Sequence, residues 1–394
     1  VTELTPRERV LKTLSHKEPD RVPVDLGSIR NTGITVNAYE KLVKYLHLES
    51  GNGPSLSKTG AITHRLAVID EPVLQRLHVD LRGFMPGPPD EGEQVHLGDG
   101  RYRDEWSIVR QKVESTGEYT PVGSPLPDEV TVSDLARWPW PNPDDPGRVR
   151  ELRAKALALR KETDYAVVLH LADMFVGISQ MMLGWERWFV EFALNPRLVS
   201  AVMDAVGEVR LAIAERVLDE VGDFIDVVSL SDNLGDQRGP QISPSSYHKY
   251  IKGRQKRFFD RVRERTSARI LYHSSGSIYK LLPGLIEAGV EILNPVQVSA
   301  VGMDSARLKQ EFGRDLVFWG GIDTQRVLPF GSRSEVREEV ARRITDLASG
   351  GGYIVAAVHV IQPDVPPGNI VALYDAAQEL GEYPIQSCYD EYRL

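Results

Sequence analysis

Cysteine is nearly missing from this chain, with Cys388 the single one in 394 residues. No internal disulfide framework can form, and no thiolate-rich zinc or iron–sulfur site can be assembled. No apolar run approaches the ~18 to 20 residues that a membrane-spanning helix needs, and no basic-then-apolar leader opens the sequence. No membrane partner is expected, and the cytoplasm is the expected setting. Positive charge is also in deficit: 47 Lys and Arg face 56 Asp and Glu, a net charge of −9. A nucleic-acid partner, which would require a basic stripe, is not expected. The most basic stretch, Lys249 to Arg265, spaces its charges between Tyr250, Phe258 and Val262 like the wet side of an amphipathic helix. Walker and dinucleotide glycine fingerprints are absent, as is the G-x-S-x-G elbow that Ser274 or Ser275 would need, so nucleotide chemistry and a serine nucleophile drop out.

What is present is a core-forming composition, 41% hydrophobic and 26% charged. Thr5-Pro-Arg-Glu8 opens a helix, with Thr5 as cap, Pro6 at the first helical position and Glu8 placed to reach back. From about residue 165, near-continuous apolar runs alternate with helical segments. The runs are 166–171, 225–230, 269–272, 291–293, 316–319 and 353–358. Runs without period-two alternation suit strands buried on both faces of a parallel sheet. Helices of 3.6-residue periodicity are expected at 198–221, 278–288 and 334–348. With strands at 22–25 and 81–85 the total is eight, enough to close a (β/α)8 TIM barrel. The chain therefore reads as one barrel domain over 1–394. Residues 85–150 stand apart as an insertion, with 101–109 and 113–119 expected to pair as a hairpin beside or over the barrel mouth.

Barrel chemistry collects at the C-terminal ends of the strands. The polar residues expected there are Asp25, His170 with Asp173, Asp232 with Asn233, His273 with Ser275, Asn294 with Gln297, Asp323 with Gln325, and His359 with Gln362. Six other histidines (His16, His47, His64, His78, His96 and His248) fall in helices or loops, where surface exposure explains them. His273 and His359 are the sharper pair. Two imidazoles aimed into one mouth suit Zn²⁺, which takes neutral His nitrogen and keeps an open position when catalytic. Asp232 is the first choice for a third ligand. The alternative is that both histidines only hydrogen-bond neighbouring loops and orient a substrate. Met174 and Phe175 follow a strand directly and would either wall an apolar ligand or fill the core.

Taken in order, Thr5-Pro-Arg-Glu-Arg-Val-Leu11, Glu18-Pro-Asp-Arg-Val-Pro-Val-Asp25, Leu230-Ser-Asp-Asn-Leu-Gly-Asp-Gln237, Tyr272-His-Ser-Ser-Gly-Ser277, Asn294-Pro-Val-Gln297, Gly320-Gly-Ile-Asp323 and His359-Val-Ile-Gln-Pro-Asp-Val-Pro-Pro367 resemble the uroporphyrinogen decarboxylase superfamily. The resemblance covers essentially the whole chain. Uroporphyrinogen decarboxylase itself carries an arginine-rich R-Q-A-G-R-Y segment after its first strand, where this chain has Gly27-Ser-Ile-Arg-Asn-Thr-Gly-Ile34. The chain is closer to the methyltransferase branch, which includes O-demethylases of aromatic methyl ethers. Members of that branch hold zinc through an H-x-C pair and a cysteine after the last strand; here the matching positions are His273, Ser275 and His359. Losing the thiolates makes a poorer activator of thiols and a better Lewis acid toward oxygen.

The resemblance thus implies a zinc-dependent methyltransferase that removes a methyl group from a methoxylated aromatic substrate and passes it to a corrinoid partner protein. It carries no cobalamin-binding D-x-H-x-x-G module of its own. His273, His359 and Asp232 would hold the metal and form the catalytic set. Asp25, Asn233, Gln297 and Gln362 would contact the substrate, and Met174, Phe175 and Trp319 would line its pocket. Two rivals remain: a metal-free decarboxylase or lyase in which Asp25 or Asp232 gives the proton, and a non-catalytic subunit that docks corrinoid or substrate.

Overall fold

The computed structural model describes residues 3–48, 65–91, 94–114 and 117–386; Cys388 and His64 lie outside them. In chain order the strands are β1 (Leu81–Phe84), β2 (Gln94–Gly98), β3 (Arg101–Asp104), β4 (Val109–Lys112), β5 (Tyr119–Pro121), β6 (Ala166–Asp173), β7 (Val227–Ser231), β8 (Arg269–His273), β9 (Ile292–Asn294), β10 (Val317–Trp319) and β11 (Tyr353–Ile354). Strands β1, β6, β7, β8, β9, β10 and β11 form one sheet in that order, and every pairing in it is parallel. Val24 adds a parallel bridge to Val355. The Asp25 amide donates to the Val355 carbonyl at 2.9 Å, and the Asp80 amide donates to the Val24 carbonyl at 3.0 Å. The 22–25 segment therefore joins β11 to the start of β1 and completes a TIM-barrel fold.

Strand alternation divides the core in two. Leu81, Ala166, Val168, Val227, Leu271, Ile292, Val317, Trp319, Ile354 and Ala356 fill the barrel interior, joined by Val10 and Leu14. Those two leucine-and-valine side chains come from the helix Pro6–Leu14, which plugs the N-terminal end. Its cap forms as expected: the Thr5 hydroxyl accepts from the Glu8 amide, and the Glu8 carboxylate accepts from the Thr5 amide at 2.9 Å. The larger apolar cluster lies between the sheet and its surrounding helices. The helices Pro196–Val221 and Arg333–Leu347 match expectation closely, whereas 278–288 begins as a 3-10 turn before the helix Leu282–Ala288. The basic stretch forms the helix Lys252–Arg263, burying Phe258, Phe259 and Val262. Its arginines are not merely solvated, because Arg254, Arg257 and Arg261 pair with Asp204, Glu208 and Glu215 of Pro196–Val221.

The insertion is richer than a hairpin. Strands β2 to β5 make a four-stranded antiparallel sheet. The expected first strand, 101–109, is broken into β3 and β4 because the Asp104 carboxylate accepts from the Trp106 and Ile108 amides, folding the chain into a turn. The sheet packs on the helix Val176–Leu183: Arg110 reaches Met181 Sδ at 3.6 Å, and the Ser124 hydroxyl donates to the Met182 carbonyl at 2.7 Å. No helix among the described residues is long and apolar enough to cross a membrane.

Candidate active site

The same alternation that fills the barrel with Val168, Val227, Leu271, Ile292 and Val317 makes the next inward positions polar: His170, Ser229, His273 and Asn294, with Trp319 beside them. In register, His273 neighbours Asn294 across β8 and β9. Its Nδ1 lies 2.6 Å from Asn294 Oδ1, and Asn294 Nδ2 donates to the Trp319 carbonyl at 3.0 Å. On the other side of the ring, His273 Nε2 is 2.9 Å from Asn31 Nδ2 and 3.2 Å from Ser275 Oγ. Burial and the neighbouring His359 push the His273 pKa down to about 3, so the ring is neutral.

His359 stands beside it, with ring centroids 5.9 Å apart and planes tilted by 56°. Two imidazoles bound through nitrogen to one zinc ion at ~2.0–2.1 Å have centroids roughly 5 to 6 Å apart. Burial lowers the His359 pKa as well, which leaves a neutral nitrogen available. The structure therefore brings together the two histidines that the sequence singles out.

Asp232 does not join them as a ligand. Among the described residues no three His, Cys, Asp or Glu side chains converge as a metal site. Asp232 Oδ1 instead accepts from the amides of Phe175, Val176 and Gly177, at 3.2, 2.8 and 3.2 Å. It is drawn to the positive N-terminus of the helix Val176–Leu183. Its other oxygen, Oδ2, is buried without a partner. Burial and the nearby Asp173 raise its pKa to about 8, so it is protonated at neutral pH.

Other expected contacts are redirected too. Asp25 is sealed inside: its carboxylate accepts from the Ser28 amide, the Thr32 hydroxyl and Trp319 Nε1, at 3.1, 2.6 and 3.0 Å. Asp25 and Trp319 thus satisfy each other beneath the mouth instead of facing a ligand. Asn233 Oδ1 accepts from the Ser275 amide and Gln297 Oε1 from the Gly276 amide, so both pin the loop after His273. Phe175 packs outward near Gly207 of the helix Pro196–Val221, and Met174 is fully buried in the outer core. Gln362 is half-buried three residues after His359.

Two polar groups at the mouth, Arg30 and Asn31, carry no sequence expectation, whereas His170 and Asp173 lie on β6 as expected. The 3-10 turn Arg30–Thr32 supplies Asn31 and Arg30. Arg30 Nε is buried without a hydrogen-bond partner, and so is His170 Nε2. His170 Nδ1 meets Ser229 Oγ at 3.2 Å, and burial together with Arg30 and His273 keeps its ring neutral. Burial pushes the Arg30 pKa down, with Asp173 opposing the shift and Arg110 adding to it. A bulge in β6 between His170 and Ala172 frees carbonyls, and Arg210 donates to those of Leu171 and Asp173. Asp173, whose Oδ1 accepts from the Ser231 hydroxyl at 2.8 Å, is the acidic neighbour that favours the charged form of both Arg30 and Arg210. Arg110 sits opposite Tyr102 on β3 and β4, and both influence Arg30, so the insertion borders the mouth. The same strand-end rule that finds Asp25 would find Arg30 and Asn31 if it were extended by one turn.

The model of the uroporphyrinogen decarboxylase (URO-D) family matches residues 116–380, two thirds of the chain. The chain belongs to the uroporphyrinogen decarboxylase family. A methyltransferase from Methanosarcina mazei has the same fold at 16% identity, with a TM-score of 0.65 over 96% of this chain and 99% of that one. An endogalactoceramidase aligns more loosely, at 11% identity and a TM-score of 0.39 over 92% of this chain and 76% of that one. No curated protein matches the chain.

Proposed function

We propose that this member of the family is a methyltransferase that demethylates a methoxylated aromatic substrate, with zinc at the histidine pair and a corrinoid partner protein as methyl acceptor. The observation that carries the reading is the juxtaposition of His273 and His359, with His273 Nε2 turned away from Asn294 toward Asn31 and Ser275. The donor set fits an exchangeable ion, since two neutral nitrogens and neutral oxygens leave coordination positions open. Zinc bound there would act as a Lewis acid on the ether oxygen. His273 and His359 would hold it. Arg30 would face the negative charge that develops as the methyl group leaves and the phenolate forms. Asn233 and Gln297 would keep the loop after β8 in place, and Tyr102 and Arg110 would border the substrate from the insertion.

The test is incubation of the zinc-loaded protein with cob(I)alamin and a panel of methoxyarenes. The expected products are methylcob(III)alamin and the corresponding phenol, lost in His273→Ala and His359→Ala. Phenol production that persists in both variants would overturn the reading.

A second reading, a metal-free lyase, draws support from Asp232, a buried carboxyl that keeps its proton at neutral pH and has one oxygen without a partner. Carbon dioxide release from an aromatic acid by chelator-treated protein, abolished in Asp232→Asn, would favour it over methyl transfer.

A further inference from the structure

We infer that Asn294 is the positioning residue of this site: it fixes His273 as the tautomer protonated on Nδ1, so that Nε2 keeps a lone pair, which accepts from Asn31 here and is offered to a ligand that displaces it. The inference rests on the proposed function only for what that lone pair is used for; the tautomer follows from hydrogen-bond logic alone.

Asn294 is fully buried, and its side-chain amide has two ends with different capacities. One end lies 3.0 Å from the Trp319 carbonyl, which can only accept, so that end is the NH₂ group. The other end is then the oxygen, 2.6 Å from His273 Nδ1. An amide oxygen can only accept, so the proton between them sits on Nδ1. Nε2 is therefore an acceptor, which agrees with the Asn31 amide lying 2.9 Å from it. A ligating imidazole is commonly held this way, with its far nitrogen donating to a fixed oxygen.

The orientation of Asn294 is itself held by a closed circuit of hydrogen bonds. Trp319 follows Asn294 around the sheet, since Val317 pairs with Ile292 and Phe318 with Leu293. Trp319 Nε1 donates to Asp25, and Thr32 donates to the same oxygen. Thr32 belongs to the turn that carries Asn31, which returns to His273. Each member holds its neighbour, so rotating the Asn294 amide would set Nδ2 against an N–H and its oxygen against a carbonyl. Burial leaves no water to compensate such a flip.

The experiment is nitrogen-15 NMR of histidine-labelled full-length chain, with the His273 signals assigned by their loss in His273→Gln. In the native protein Nδ1 is expected to be pyrrole-like and Nε2 pyridine-like. Asn294→Asp keeps an acceptor and is expected to keep that tautomer, whereas Asn294→Leu removes it and is expected to populate the Nε2–H form. Affinity for Zn²⁺ alone is expected to fall about 10- to 100-fold in Asn294→Leu and to recover in Asn294→Asp. A native His273 protonated on Nε2, or a tautomer unchanged in Asn294→Leu, would overturn the inference. If the tautomer is as stated and the native protein binds no zinc, the positioning role stands and the metal reading fails.

Discussion

On the flank of the mouth built by β8 to β10 and the 22–25 segment, His273, Asn294, Trp319 and Asp25 each find hydrogen-bond partners within one circuit. On the neighbouring flank, at β6 and at the Arg30 side chain of the turn whose Asn31 and Thr32 belong to the circuit, Arg30 Nε and His170 Nε2 are buried with none. Buried polar groups are normally paired, because an unpaired one costs about 1–3 kcal/mol. The satisfied flank is preorganised, and its atoms are already committed to one geometry. The unsatisfied flank has donors and an imidazole nitrogen in reserve for polar atoms that a ligand would bring. A site with one fixed wall and one receptive wall suits a reaction in which one set of groups must stay rigid while a substrate comes and goes.

The largest expected effect breaks the fixed wall at its functional end. His273→Ala should lower methyl transfer by about 10²–10³-fold, while its thermal melt shows a folded protein; full retention of turnover would remove the histidine from the chemistry. On the receptive wall the opposite trade should appear. Arg30→Leu removes a buried cation whose Nε has no hydrogen-bond partner, so it should raise stability by about 1 kcal/mol while cutting activity at least about tenfold. Urea unfolding beside initial rates checks this, and a destabilised variant would contradict the contrast between flanks. Trp319→Phe, within the satisfied circuit, should cost about 1–3 kcal/mol by leaving the buried Asp25 short of a donor. A melt unchanged by that substitution would show the circuit to be slack.

The last expected effect is a slope with pH. Asp232 keeps its proton up to about 8 in the folded chain against an ordinary value of 3.8. The folded state therefore binds a proton that the unfolded state releases, and the Asp232 contribution, fully present below about pH 4, is lost as pH rises through about 8. Asp232→Asn should flatten that decline when unfolding is followed from about pH 5 to about pH 9. An identical slope in both proteins would place the proton elsewhere.

Most of the barrel was legible in the sequence because buried parallel strands write themselves as apolar runs, and the ends of those runs located His273, His359 and Asn294. The rest depends on geometry that spacing does not carry. Asp232 looks like a ligand from its place after β7, but the amides of Phe175 to Gly177 reach its oxygen only because the next helix begins beside it. Asn233 and Gln297 look like substrate contacts, yet their oxygens serve the amides of Ser275 and Gly276. Arg30 and Asn31 escaped notice because they lie on a turn beyond the strand end, where one backbone reversal decides whether a side chain faces the mouth. The insertion resisted for a local reason: Asp104 folds what reads as one long strand into two.

The most direct test is elemental analysis of the native protein together with His273→Ala and His359→Ala after equilibration with zinc and desalting. Expected is close to one zinc per native chain and a loss of most of it in each variant. Equal zinc in all three proteins, or none in any of them, would contradict a metal shared by the two imidazoles.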